Sequence, residues 1–119
     1  MRPERRARRS EDTLEALGLQ LEAVARRAEL DGLLLVEEQG LEVASAGAVV
    51  GLEEIAAVAP RLAPGAGIWR GELWGAVPVT VVPVSTDFGA LFLCAAGGAG
   101  AELDGELLRG GCGVCRILA

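Results

Sequence analysis

The residues with the most chemical potential are the three cysteines, Cys94, Cys112 and Cys115. Cys112-x-x-Cys115 would set two thiols at i and i+3 on one side of a helix. Thiolates at that spacing ligate zinc or exchange disulfides. A zinc site would have to recruit Cys94 and a carboxylate, or the same pair from a second copy, because the chain has no His and no second C-x-x-C. A thioredoxin-like role would need the pair at a helix N-terminus after a strand, whereas it stands near the end of the sequence. The ordinary reading of such thiols is as small apolar side chains in a reducing compartment. The expectation is therefore no metal and no cofactor.

Other chemistry is thin. Without His or Lys there is no imidazole base, no Ser-His-Asp set and no P-loop or Schiff-base lysine. Gly97-Gly98-Ala99-Gly100 precedes a helical pattern and could offer amides to an anion, but nothing completes a phosphate site, so it reads as a connector. Glu37-Glu38 and Glu53-Glu54 read as solvated faces rather than acid–base pairs. Arg70 and Glu72, two apart on one strand face, could form part of a polar docking patch. Trp69 and Trp74 are half of the aromatic residues, there being two Trp, two Phe and no Tyr. Their spacing puts them on opposite faces of a regular strand, one for the core and one for a partner.

The bulk properties bound the class. A chain of 119 residues that is 51% hydrophobic supports one domain. No apolar run reaches the roughly 18 residues of a membrane span, and no secretory signal is visible, so a cytoplasmic location is expected. The net charge of −6 conceals an asymmetry: residues 1–9 carry five arginines against Glu4, leaving −10 on the remainder. An acidic body argues against nucleic acid as the ligand. Residues 1–12 read as a flexible basic tail and 13–119 as the domain.

Periodicity supplies the elements. Leu14, Leu17, Leu21, Val24 and Ala28 form one helical stripe from about Thr13 to Ala28, with Asp12 as N-cap and Gly18 as a point of close packing. The apolar run Leu33–Val36 and the alternating Leu41, Val43 and Ser45 are strands joined through Gly40, which supplies a positive φ. Leu52, Ile55, Ala56, Ala59 and Leu62 resume the helical period, with Pro60 expected to end or bend it near Val58. Ile68–Leu73, Val77–Val84 and Ala90–Ala95 are three further strands, and Pro78 and Pro83 require an edge, a bulge or non-bonding positions in the second of them. A last helix over Leu103–Leu118 should be short or broken near Gly110. The order α-β-β-α-β-β-β-α predicts an α+β fold, a five-stranded antiparallel sheet covered by helices.

That order, the hairpin Asp31-Gly32-Leu33-Leu34-Leu35-Val36-Glu37-Glu38-Gln39-Gly40-Leu41-Glu42-Val43-Ala44-Ser45-Ala46-Gly47 and the helix start Leu52-Glu53-Glu54-Ile55-Ala56-Ala57-Val58 resemble the Roadblock family of dynein light-chain type, whose fold is related to longin and profilin-like domains. The resemblance covers roughly Leu14 to Ala95. It implies a homodimer in which second helices pack together and sheets join at the third strand. That arrangement puts Leu52, Ile55, Ala56, Ala59, Trp69, Gly71 and Leu73 in the dimer interface, and the strand faces noted above leave Arg70, Glu72 and Trp74 for partner docking. It implies a non-catalytic scaffold that binds a small Ras-like GTPase or a subunit of a motor or signalling complex. The alternatives are a small-molecule sensor of GAF or PAS type, which four aromatics would line poorly, and a thiolate zinc or redox protein.

Overall fold

A computed structural model describes residues 3–49, 51–62, 67–73, 77–87, 89–98 and 102–118. The elements are α1 (Pro3–Arg27), β1 (Leu30–Val36), β2 (Glu42–Gly47), α2 (Leu52–Leu62), β3 (Trp69–Leu73), β4 (Val77–Thr86), β5 (Gly89–Gly97) and α3 (Glu102–Leu118). The expected order and fold class hold. All strand pairs are antiparallel, in the spatial order β2-β1-β5-β4-β3. α2 therefore carries the chain from one edge of the sheet to the other.

Strand alternation splits the core into two layers. Leu33, Leu35, Val82, Val84, Leu91 and Leu93 point to the face covered by α1 and α3, where they meet Leu17, Leu21, Val24, Leu107 and Val114. Leu34, Val36, Val79, Val81, Phe92 and Cys94 point to the opposite face, under Leu52, Ala56 and Ala59 of α2. Burial of both faces is why β1 and β5 read as unbroken apolar runs. Gly40 adopts φ +83° at the β1–β2 turn, as its position required.

Several boundaries depart from the sequence expectation. α1 begins at Pro3, so the arginine-rich stretch continues the helix and Asp12 lies inside it instead of capping it. From Glu11 onward the first buried residue of α1 is Leu17, and Leu14 is half exposed. Gly18 is not a packing point: a Cβ there would meet nothing within 4 Å. α2 continues through Pro60 to Leu62, its inward side anchored by Leu52, Ala56 and Ala59.

α3 is one helix of 17 residues, not a broken one. Its glycines mark where it presses on its neighbours. A Cβ on Gly110 would stand 2.8 Å from Val24 Cγ2, one on Gly111 3.1 Å from Val84 Cγ2, and one on Gly113 2.6 Å from Gln20 Cδ. Burial that a side chain would prevent offsets the poor helix propensity. The two β4 prolines occupy singly paired positions. β3 pairs only with Val77–Val81 and β5 only with Val79–Thr86, so Pro78 has a neighbour strand on one side and Pro83 on the other.

Candidate partner-binding surface

The sequence reading assigns α2 and β3 to dimer contact and partner docking, and the structure places those residues on different sides of the two elements. Leu52, Ala56 and Ala59 are 0%, 2% and 0% exposed against their own sheet. Their side chains are turned to the sheet of their own chain, leaving the opposite side of α2 outward. The amphipathic period marks the core side of a helix, not the side that meets a partner. Ile55 is half-buried beside them. The outward face of α2 consists instead of Glu53, Glu54, Ala57, Val58 and Arg61, with Val58 37% exposed.

β3 is one of the sheet's two edge strands, β2 being the other. α2 lies over β5 and β1 and reaches β4 only marginally, so the sheet projects beyond its helix on this side. There the half-buried Trp69 folds across Gly71 and packs against the α2-side core. A Cβ on Gly71 would stand 2.6 Å from Trp69 Cζ2, so only glycine admits the indole. Leu73 closes the strand, paired with Val77. Trp74 lies outside the described residues, as do Ala99 and Gly100 of the glycine-rich connector.

Arg70 and Glu72 project from the opposite face of β3, both exposed. Arg70 forms an ion pair with Asp104 of α3, so the strand edge is tied to the third helix. The pair is largely solvated and stabilises by at most about 1 kcal/mol.

The thiols are not brought together. Cys94 lies on the α2 side of the sheet with its thiol pushed up to about 12 by burial. Cys112 and Cys115 ride on α3 across the sheet, Cys112 exposed and Cys115 donating to the Ser85 carbonyl at 3.1 Å. The sheet stands between them, which removes the three-thiolate zinc set. No cluster of three or more metal-ligating side chains occurs among the described residues.

One constellation escaped sequence reading. Gln20 and Arg27 of α1 and Glu106, Arg109, Cys112 and Arg116 of α3 line a groove of about 710 Å³. Arg27 Nε donates to Glu106 Oε2 at 3.2 Å and Arg109 Nη2 to Glu106 Oε1 at 2.5 Å. These two partners, Arg109 foremost, hold the Glu106 carboxyl below its usual range. Glu106 and Arg109 show the i, i+3 spacing of a helical ion pair in sequence, but only the antiparallel packing of α3 on α1 brings Arg27 to them.

The class defined by these features is a three-layer α+β domain, a five-stranded antiparallel sheet with α1 and α3 on one face and α2 on the other, the Roadblock-like fold. Solved structures share it. MglB of Myxococcus xanthus superposes with a TM-score of 0.71 at 12% identity, over 88% of this chain and 89% of that one. The gliding protein MglB from Thermus thermophilus gives 0.67 at 16% identity, over 88% and 90%. A structure described as MglB with a tetrameric arrangement gives 0.64 at 16%, over 92% and 89%. No family model matches the chain, and no curated protein matches its sequence. At these identities the likeness is one of fold.

Proposed function

We propose that this protein is a non-catalytic homodimeric module that binds and regulates a small Ras-like GTPase or a subunit of a motor or signalling complex. The observation that carries the reading is the projecting β3 edge, where Trp69 lies over Gly71 without full helical cover. An edge strand with unpaired backbone groups is a template for pairing with another chain. The adjacent outward face of α2 contributes Ala57 and Val58, small enough for another helix to come close. The MglB-like fold supports the reading, and one such protein is described in a tetrameric arrangement. Both faces of the sheet are filled by packed Leu and Val under helices, which disfavours a ligand-sensing cavity inside the domain. No helix among the described residues is long and apolar enough to cross a membrane.

The test is light scattering after size exclusion, followed by single-turnover GTP hydrolysis on small Ras-like GTPases with and without the protein. A dimer whose contact buries more than about 1,000 Å² and a changed hydrolysis rate or a stable complex are expected. A strict monomer at tens of micromolar that binds none of the GTPases ends the proposal.

A further inference from the structure

The α1–α3 groove stands in an acidic body. Outside the first nine residues the chain carries six arginines, and three of them, Arg27, Arg109 and Arg116, line this one groove. Glu106 sits between Arg27 and Arg109 and accepts from both, which holds two guanidiniums side by side that would otherwise repel. Each retains further N–H donors, since a guanidinium has five. Arg116 is exposed and has no ion-pair partner among the described residues.

The spacing selects the ligand. Arg109 and Arg116 are separated by two turns of α3, about 10 Å along the axis at 1.5 Å per residue. A single phosphate is too small to engage both, whereas carboxylates about three residues apart on an extended chain match them. α1 and α3 run antiparallel, with Val24 against Gly110 and Gln20 against Gly113. A duplex nucleic acid carries about one charge per 1.7 Å and would meet the glutamates that dominate the rest of the surface. A sparsely charged acidic peptide would not.

We propose that the α1–α3 groove is a docking site for an acidic polypeptide segment of a partner protein. The site is separate from the β3 edge and α2 and does not depend on the dimer. The experiment is fluorescence anisotropy at low salt with a labelled Glu-rich peptide, titrated with the full chain. Wild type is expected to bind. Arg116→Glu should weaken Kd by about tenfold or more, the loss of one charge-assisted contact plus repulsion. Arg61→Glu, on α2, should leave it unchanged, with circular dichroism confirming that every variant is folded. Absence of wild-type binding overturns the proposal, as does an unaltered Kd for Arg116→Glu or an equal loss for Arg61→Glu. Tighter binding of a single-stranded oligonucleotide than of the peptide would also overturn it.

Discussion

Val24 of α1 and Gly110 of α3 meet with no room for a side chain between them: a Cβ on Gly110 would lie 2.8 Å from Val24 Cγ2. Val24 is fully buried, so it has nowhere to retreat. This contact sets how closely the two helices of one layer approach, and with it the alignment of the arginines on either side of the groove.

Gly110→Ala should therefore destabilise the fold by about 1–3 kcal/mol, the cost of overpacking, despite a gain in helix propensity. Gly18→Ala, within α1 and facing open space, should stabilise by about 0.5–1 kcal/mol. Urea unfolding of the two variants measures both, and effects of the same sign would contradict the packing described.

Helix α2 offers a test that separates folding from association. Ala56→Glu places a charge in a position 2% exposed and should unfold the domain or leave a molten state. Val58→Glu, on the outward face, should leave the circular dichroism and unfolding midpoint close to wild type and convert a dimer to monomer by light scattering. If Val58→Glu unfolds the chain instead, the orientation of α2 is other than described.

The thiols should react in a strict order. Cys112 is exposed and should label rapidly with a maleimide under native conditions, whereas Cys94 should label only after unfolding. Mass spectrometry after timed quenching reads the order. Because burial raises the Cys94 pKa from 9.0 to about 12, the unfolded chain loses this proton at lower pH than the folded one. Its stabilising contribution is complete below pH 9 and is lost as pH rises toward 12. Cys94→Ala should abolish that part of the alkaline decline, visible in unfolding midpoints measured across the range.

Glu106 should behave in the opposite sense. Its folded pKa is lowered by Arg109 and Arg27, so its contribution is present above the ordinary carboxylate range and disappears as pH falls through the lowered value. The group is solvated, and the effect on global stability should be small. Glu106→Gln should instead change the titration of its neighbourhood, seen as altered pH-dependent amide shifts of α3 in NMR spectra.

Much of the architecture was legible in the chain because it is written in local period and punctuation. Leu17, Leu21 and Val24 mark a helix by spacing, Leu33–Val36 marks a doubly covered strand by its unbroken apolarity, and Gly40 marks the turn by the φ it must adopt. What the order of elements implied, the sheet confirmed. What α2 packs against was less legible. Leu52, Ala56 and Ala59 carry the same small and apolar signature whether they face a sheet of their own chain or a helix of another. Period gives a face, not its occupant.

The residue types and their order by themselves determined the eight elements, the lack of any His or Lys side chain, and the contrast between a basic start and an acidic body. The tertiary structure alone decided that α3 stays whole, since the gain from pressing Gly110, Gly111 and Gly113 onto α1 and β4 does not exist in an isolated helix. It also decided that Cys94 lies across the sheet from Cys112 and Cys115, and that Arg27 joins Arg109 and Arg116. Those relationships depend on which elements become neighbours, and that is set by packing over long sequence separations.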